Sequence, residues 1–386
     1  MRAVNLKLVL LGGAGLVALG AMGFAAWLFS LPAASAAGVP PAIAVEEAQA
    51  TLSALTPTER ERPLIAIIGI NDATETTDYL LPYGILRRAD IADVVALATE
   101  PGPVKLYPAL AVEPDATIGE FDAQYPDGAD YVIVPAMSRD DDPAALQWIR
   151  DQAEKGAVII AVCAGAKVVG AAGLLDGRRA TTHWFYLREL RSENPLAVYT
   201  PNRRFVVDDK VATTTGVTAS MPMMLTLIEA IAGREKAQAV AGELGIGEWN
   251  ARHDSSAFTL TRRFATTVMG NVLAFWNRDR VGIELTQGMD EASLALVADA
   301  WSRTYRSKAL TLAESTEAVT SRSGMRILPD LVTGEWSGER LASTFATQPP
   351  AEALDDALEA IGRRYGEPTA DVVAMQIEYP RLAAVE

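Results

Sequence analysis

The chain has 386 residues, with 34 Lys or Arg against 49 Asp or Glu, so its formal net charge is −15 at pH 7. This length predicts two globular units with a core that needs no disulfide. An acidic chain without a basic stripe would be repelled by a phosphate backbone, which excludes nucleic acid as a partner. One cysteine and two histidines exclude an intrachain disulfide and a Cys- or His-rich metal site, so no metal is expected.

The N-terminus predicts an export element. Arg2 and Lys7 precede an uncharged stretch, residues 8–29, and a small-residue segment, residues 33–37, follows it. The stretch is long enough to cross a bilayer, which favours an uncleaved anchor, although the Ala-Ser-Ala triplet at 34–36 leaves signal cleavage open. We therefore expect residues 1–37 to be a membrane anchor or signal segment. The rest would face the periplasm or cell exterior, or be secreted, with residues 38–62 as a linker.

The following segment predicts alternating strands and helices. Continuous apolar runs at residues 63–69, 129–135 and 157–163 are typical of central parallel strands. Shorter strands are predicted at 93–98, 104–106 and 210–215, and helices at 79–88, 143–155 and 221–232, the last ending at Gly233. This order predicts an α/β domain over residues 63–245, with a parallel sheet sandwiched by helices.

The second half contains an internal repeat. A shift of 215 places residues 66–121 on 281–336 without a gap, and Pro114-Asp115 then falls on Pro329-Asp330. After a small gap the match continues through a helix near 355–365, and residues 371–375 fall near the strand that leads to Cys163. The copy lacks a cysteine and has Ser293 where the first has Asp78. Residues 246–386 are thus predicted to be a connector and a truncated, degenerate second copy, with two unrelated α/β segments as the alternative.

Cys163 is the candidate nucleophile. Residues 161–166 read Ala-Val-Cys-Ala-Gly-Ala, a small-x-nucleophile-x-small pattern between a buried strand and a helix. Such a tight turn needs small neighbours, and a thiol at a helix N-terminus is favoured as thiolate. A lone cysteine in an apolar strand is as often a small buried core residue, so the local pattern leaves both interpretations open.

Residues 161–166, called the elbow from here on, resemble the corresponding segment of the DJ-1/PfpI family. So does the segment at 171–184, which reads Ala-Ala-Gly-Leu-Leu-Asp-Gly-Arg-Arg-Ala-Thr-Thr-His-Trp. It is most similar to the amidase-like domain of AraC-type regulators and to isonitrile-hydratase-like members. The resemblance implies a flavodoxin-like fold and an acidic residue beside the thiol, here Asp78, able to move a proton. It also places His183 near the mouth of the site, where the histidine could assist proton transfer or be satisfied by local hydrogen bonds.

Two departures from the family pattern limit this comparison. Ala164 stands where peptidase members have His and hydratase-like members usually have Thr, so no side chain helps from this position. Ala136 and Met137 replace a Gly-Gly pair and are expected to narrow the pocket or change its oxyanion donors. The backbone N–H of Ala164 is then the best candidate for an oxyanion donor.

These residues predict a cysteine-dependent hydrolase or lyase that acts on a small carbonyl, amide or nitrile-like compound without a cofactor. In this hypothesis Cys163 attacks and Asp78 moves the proton. The alternative is a non-catalytic ligand-sensing or scaffolding module without DNA-binding activity, with the repeat as a pseudo-dimeric partner or the chain as a homo-oligomer. Oxidation sensing through a sulfenic acid at Cys163 is a third option, but no resolving cysteine is present.

Overall fold

Strands and helices alternate from residue 64 onwards in the computed structural model, which describes residues 20, 22–33, 38–57, 60–341 and 348–380. The strands of the N-terminal unit are β1 (Leu64–Gly69), β2 (Asp72–Glu75), β3 (Asp93–Ala98), β4 (Val104–Tyr107), β5 (Ala111–Glu113), β6 (Ala116–Thr117), β7 (Tyr131–Val134), β8 (Val158–Ala161), β9 (Arg179–Ala180), β10 (Val198–Tyr199), β11 (Phe205–Asp208) and β12 (Val211–Thr214). Its helices are Val45–Leu55, Thr76–Ala89, Ile118–Gln124, Pro143–Glu154, Gly165–Ala171, Leu187–Glu193, Ser220–Ala232 and Arg234–Leu244.

Within the described chain, seven of these strands form one sheet in the order β11-β12-β8-β7-β1-β3-β6. All neighbours are parallel except β11 and β12. The central strands are buried on both faces: Ile65 and Ile67 of β1 belong to one apolar core, whereas Ala66 and Ile68 belong to the other. The predicted parallel α/β architecture is therefore confirmed, because strands without a polar face need helices on both sides.

The helices begin and end where local chemistry dictates. Asp142 caps Pro143–Glu154 by accepting the N–H groups of Ala144 and Ala145, and proline suits the first helical position. Ser220–Ala232 ends at Gly233, whose φ of 86° falls in the region that glycine adopts without strain.

The predicted linker contains a packed helix rather than a free spacer. In Val45–Leu55, Leu55 is fully buried, and Glu47 pairs with Arg203 of the domain at 2.6 Å. An apolar contact and an ion pair therefore hold this helix against the domain, and the linker assignment of residues 38–62 stays a prediction.

Most of the predicted anchor, residues 8–29, lies outside the described residues. The described end of it, residues 22–30, is helical and exposes Phe24, Trp27 and Phe29. None of the helices in the described ranges is long and apolar enough to span a bilayer.

The C-terminal unit has its own strands: β13 (Asp279–Glu284), β14 (Ser307–Ala313), β15 (Val319–Thr320), β16 (Arg326–Leu328), β17 (Leu331–Val332) and β18 (Glu339–Arg340). The helices that accompany them are Arg262–Leu273, Glu291–Ser302, Pro350–Tyr365 and Glu367–Gln376. Among the described residues β17-β14-β13-β18 form a second sheet, in which all neighbours are parallel. Residues 371–375, expected near a strand, are helical instead, since Pro368 sits in the first turn of Glu367–Gln376.

Equivalent features recur in the two units 215 positions apart. β1 and β13 start 215 residues apart, as do β5 and β16, and β6 and β17. The Asp115 carboxylate accepts the N–H of Ala96 at 2.8 Å, and Asp330 does the same for Thr311 at 2.8 Å. The descent of the C-terminal unit from a second copy stays a prediction.

The units are joined through β5 and β16, which pair antiparallel with Val112 opposite Ile327. These two residues differ by 215, so equivalent strand positions face each other as they would across a two-fold axis. Beside this pairing, the helices Thr76–Ala89 and Glu291–Ser302 pack together, and both are almost entirely buried.

The turn between β8 and the helix Gly165–Ala171 requires a close backbone approach. A Cβ atom added to Gly165 would lie 2.0 Å from the Val134 carbonyl oxygen at the end of β7. Only glycine can stand at this point, because no real Cβ comes so near a backbone atom.

We predict that Gly165→Ala lowers the free energy of unfolding by at least about 3 kcal/mol, because the clash is with backbone rather than a flexible side chain. Chemical denaturation of the parent and variant measures this difference. Gly242→Ala is the control: Gly242 lies in Arg234–Leu244 with nothing within 4 Å of the added atom, and a gain of about 0.5–1 kcal/mol is expected. Equal stability of Gly165→Ala and the parent would contradict the predicted tight turn.

Candidate functional site

Cys163 occupies a strained turn between β8 and the helix Gly165–Ala171. Its φ of 58° is in the left-handed region, which costs a non-glycine residue about 1–2 kcal/mol. Two threonines hold this conformation: Thr214 Oγ1 accepts the Cys163 N–H at 3.0 Å, and Thr182 Oγ1 donates to the Cys163 carbonyl at 3.0 Å. The predicted elbow is thus present in the backbone, with Cys163 at its apex.

The thiol is buried, with 5% of the residue exposed. Burial raises the pKa of Cys163 well above its usual value, and the nearby carboxyl groups of Asp78, Glu75 and Glu378 raise it further. The Ala164 N–H points at the sulfur and opposes this shift, but it does not outweigh the loss of solvation. The structure therefore favours a neutral thiol over the thiolate that the helix N-terminus alone predicted.

Asp78 lies in the first turn of Thr76–Ala89 and is fully buried. Its Oδ2 accepts the Ala136 N–H at 3.1 Å, whereas its Oδ1 has no hydrogen-bond partner among the described residues. Burial, followed by the charge of Glu75, raises the pKa of Asp78 well above its usual range, so the site favours the protonated form of this carboxyl group.

A buried ionic cluster adjoins Asp78. Arg303, at the end of Glu291–Ser302, contacts Glu75 at 2.5 Å and Asp299 at 2.6 Å. Burial alone would lower the pKa of Arg303, but Asp299 and Glu75 raise it on balance; burial raises the pKa of Asp299 to about 7. The C-terminal unit therefore delivers a permanent positive charge to the candidate site.

His183 is held by backbone groups on both ring nitrogens. Its Nε2 lies 2.9 Å from the Gln376 carbonyl oxygen, and its Nδ1 accepts the Phe185 N–H at 3.2 Å. The two contacts together place the proton on Nε2, and burial lowers the pKa of His183 to about 4. This arrangement suits a histidine that orders the loop, and its catalytic role stays a prediction.

Glu378 closes the site from the C-terminal side. Its Oε1 accepts the Trp184 N–H at 2.5 Å, and its Oε2 lies 3.6 Å from His253 Nε2. The Oε2 atom has no hydrogen-bond partner of normal geometry in the described part of the chain. Burial raises the pKa of Glu378 to about 7. A cavity of about 550 Å³ opens beside this carboxyl group, lined among others by Trp184, Tyr199, Thr215 and Phe258.

The residues expected to shape the pocket line a loop after β7. Ala136 donates its N–H to Asp78 and accepts from the Glu75 N–H at 2.8 Å, so its amide is committed to Asp78 in this state. Met137 bridges to Thr74 and packs against an apolar core. Ala164 keeps its N–H near the sulfur, as a donor to a developing charge would require.

No group at the cysteine resembles a metal site in the described residues. The one group of three carboxylates in the described residues whose oxygens all lie within 4.8 Å of one another is Asp140, Glu189 and Glu193, of which Asp140 is half-buried and the two glutamates are exposed. Lys167 already bridges Asp140 at 2.6 Å and Glu189 at 2.7 Å, so this cluster reads as an ion-pair network.

The structure brings Cys163, Asp78, Ala164 and Ala136 together, and their roles in a reaction stay predictions. It adds four residues that the sequence analysis missed: Glu75, Asp299, Arg303 and Glu378. A signal existed for Arg303 and Glu75, since the shift of 215 relates them to Arg88 and Asp290. Glu378 lies beyond the gapless match, but it too is 215 positions from a site residue, Cys163, and both have a positive φ, 51° and 58°.

We predict that Glu378 makes the protein less stable as the pH rises from 5 to 8. A carboxyl group whose pKa is 4.5 unfolded and about 7 folded stabilises the fold fully below pH 4.5, and this contribution is lost as the pH passes 7. The loss reaches about 3 kcal/mol at most. Glu378→Gln should flatten this decline, measured as unfolding free energy at both pH values. The exposed Glu352→Gln serves as control, and an unchanged slope in Glu378→Gln would refute the assignment.

The DJ-1/PfpI family model matches residues 65–230. Isonitrile hydratase from Pseudomonas putida is 33% identical over 167 residues, which cover 42% of this chain and 70% of that protein. The HTH-type transcriptional regulator CdhR from Pseudomonas aeruginosa is 28% identical over 210 residues, or 53% of this chain and 59% of the regulator. The Parkinson disease protein 7 homolog of Danio rerio is 27% identical over 184 residues, or 46% of this chain and 95% of that protein.

Among solved structures, a THiJ/PfpI family protein from Pseudomonas syringae is similar with a TM-score of 0.46 and 23% identity, over 55% of this chain and 86% of that chain. The resemblance predicted from the elbow and the Thr-Thr-His string is confirmed by the family match and by the extent of the similarity to isonitrile hydratase. The chain belongs to the DJ-1/PfpI family.

Proposed function

We propose that the protein is a cysteine-dependent enzyme that hydrates or hydrolyses a small carbonyl, amide or nitrile-like compound. The observation that carries this proposal is the strained Cys163 turn beside a buried carboxyl group, Asp78, whose Oδ1 has no partner among the described residues. A strained backbone and a buried carboxyl group both lower the stability of the fold, and both are common at active sites.

The proton states define which reaction suits the site. A neutral thiol and a protonated Asp78 can add across a carbon–nitrogen multiple bond without a net change in charge. Asp78 gives its proton to the substrate, the Cys163 sulfur bonds to carbon, and the thiol proton passes to the Asp78 carboxylate. Water then replaces the sulfur at that carbon, which releases the hydrated product and restores the thiol.

The backbone N–H beside the thiol and the limited room around it both favour a small substrate. The Ala164 N–H, directed at the sulfur in the resting state, is near enough to a new carbon–sulfur bond to stabilise developing negative charge. The thiol itself is 5% exposed, which leaves little room around it. Similarity to a protein named isonitrile hydratase supports a carbon–nitrogen substrate, and the activity of the whole protein is part of this proposal.

Ligand binding without catalysis is the second candidate. The cavity beside Glu378 and the raised pKa of the thiol favour it, since a protonated, buried cysteine is a weak nucleophile. Relatives named as transcriptional regulators, CdhR and GbdR, also support it. In this case the pocket would bind a small molecule. The C-terminal unit would transmit the binding signal or act as a scaffold, without DNA-binding activity.

We also propose that the domain works outside the cytoplasm, held by its N-terminal segment. The support is the charge pattern of the sequence: Arg2 and Lys7 followed by the uncharged residues 8–29. Fractionation of cells that express the full chain, with protease added to intact spheroplasts, tests this placement.

We predict that Cys163→Ala abolishes turnover of any substrate found in a panel of small isonitriles, nitriles, primary amides and aldehydes. Asp78→Asn should lower the rate about 100-fold, because it removes the proton donor while keeping the size of the side chain. Asp115→Asn is the control, a carboxyl group outside the site whose pKa is also raised and which accepts the Ala96 N–H. Turnover that survives in Cys163→Ala would remove the nucleophile from the proposal. Binding without turnover of every compound would favour the sensing module.

We further predict that Cys163 alkylates with a midpoint above the usual value of about pH 8.5 for a free cysteine. Asp78→Asn should move that midpoint to lower pH, because the negative charge of Asp78 is one of the causes that raise the pKa of Cys163. Iodoacetamide labelling followed by mass spectrometry measures this in a chain with one cysteine. A midpoint below 8.5, or no change in Asp78→Asn, would contradict the neutral thiol–acid pair.

A further inference from the structure

Two ion pairs cross between the paired helices of the two units. Arg88, in Thr76–Ala89, contacts Asp290, which precedes Glu291–Ser302. Arg303, which follows Glu291–Ser302, contacts Glu75 at 2.5 Å. Arg88 and Arg303 are 215 positions apart, and so are Glu75 and Asp290. The two ion pairs are therefore equivalent under the same shift of 215 positions that relates Val112 to Ile327.

The two pairs share their local design. Glu75 caps the first helix by accepting the Asp78 N–H at 2.6 Å, and Asp290 caps the other by accepting the Ala292 and Ser293 N–H groups. Each arginine therefore meets an acid that already sits at the positive end of a helix. Both guanidinium groups are buried, with 2% of the Arg88 side chain and 14% of the Arg303 side chain exposed.

The surroundings of the two pairs differ in one respect that bears on chemistry. At the Glu75 end lie Asp78 and the Cys163 turn, whereas Ser293 replaces Asp78 at the Asp290 end. Asp299, which holds Arg303 Nε at 2.6 Å, stands where the first unit has Gly84. An arginine thus lies at each of the two equivalent ion pairs. Only the pair formed by Arg303 lies beside a cysteine, since the chain has one.

We propose that Arg303 is a positioning residue of the Cys163 site, supplied by the C-terminal unit in the way that a second subunit would supply it. In this role its positive charge stabilises negative charge at Cys163 and at the acids packed around it, Asp78 among them. The inference rests on the proposed function for its use, because the proton on Asp78 is the one delivered to the substrate.

The physical basis is one cation shared by several buried acids. Arg303 pairs with Glu75 and Asp299 directly, whereas Asp78 has no ion pair among the described residues and burial raises its pKa. Arg303 is also close enough to Cys163 to interact with its charge. The titratable and charged groups that face Cys163 are Asp78, Glu75, Glu378, Tyr186 and Arg303.

The test compares Arg303→Gln with Arg88→Gln in the full chain. Each variant removes one ion pair between the two helices, and Arg303→Gln also removes the pair with Asp299, so both should lower the thermal midpoint of unfolding. Only Arg303→Gln should change the thiol: we expect iodoacetamide labelling of Cys163 to be about tenfold slower at pH 8, with its midpoint at higher pH. Arg303→Lys keeps the charge and should recover part of the labelling rate.

Equal labelling in Arg303→Gln and Arg88→Gln, with both proteins folded, would overturn the proposal and leave Arg303 as a structural contact. If Arg303→Gln does not fold, Arg303→Lys against Arg88→Lys decides: slower labelling in the first alone supports the proposal, and equal labelling overturns it. The measurement uses no substrate, so a failure to find turnover leaves its result intact. Conversely, turnover with unchanged labelling in Arg303→Gln would overturn this inference and keep the proposed function.

Discussion

A buried guanidinium group ties the two units of this protein together. Arg303 is removed from water by the helix packing, and such a charge is tolerated only when acids and hydrogen bonds replace its hydration. Glu75 and Asp299 supply that replacement from both units. The position of Glu75 fixes the start of Thr76–Ala89, and the start of that helix fixes Asp78. The geometry around Cys163 therefore depends on a contact made by the other half of the chain.

Burial, rather than the helix N-terminus, determines the charge on the thiol. The helix that follows Cys163 has seven residues, and the N–H of Ala164 at its start lowers the pKa of the thiol by less than burial raises it. Desolvation and the neighbouring carboxyl groups act in the opposite direction and prevail. The resting site is consequently a pair of weak acids in a low-dielectric space, a state that suits addition reactions in which a proton and a nucleophile arrive together.

The sequence predicted the elements that local patterns control. The apolar runs of β1, β7 and β8 predicted buried parallel strands. The small residues at 161–166 predicted the tight turn, in which only glycine fits at position 165. The proton state of Cys163 was not predictable, because it depends on acids brought together from distant parts of the chain. Glu378 is 215 residues from Cys163 and meets it only after folding.

Other differences have equally physical origins. Residues 371–375 contain a strand-like Val-Val pair, but the helix around them buries Val372, Val373 and Ala374 on neighbouring elements. Such tertiary packing overrides local propensity. The composition of residues 45–55 predicts part of a spacer. Composition does not reveal that Leu55 is fully buried and that its carbonyl oxygen accepts a hydrogen bond from the Tyr131 hydroxyl.

The antiparallel pairing of β5 with β16 lies within one polypeptide, and this has a consequence for how the protein responds to dilution and mutation. Contacts between separate subunits weaken by mass action at low abundance, whereas tethered halves meet at an effective concentration that expression level does not alter. A gene for two identical subunits also changes both interfaces with every mutation. Here the two ends are encoded separately in one chain, so that glycine occupies position 84 while an acid occupies position 299, and a mutation at one end leaves the other unchanged.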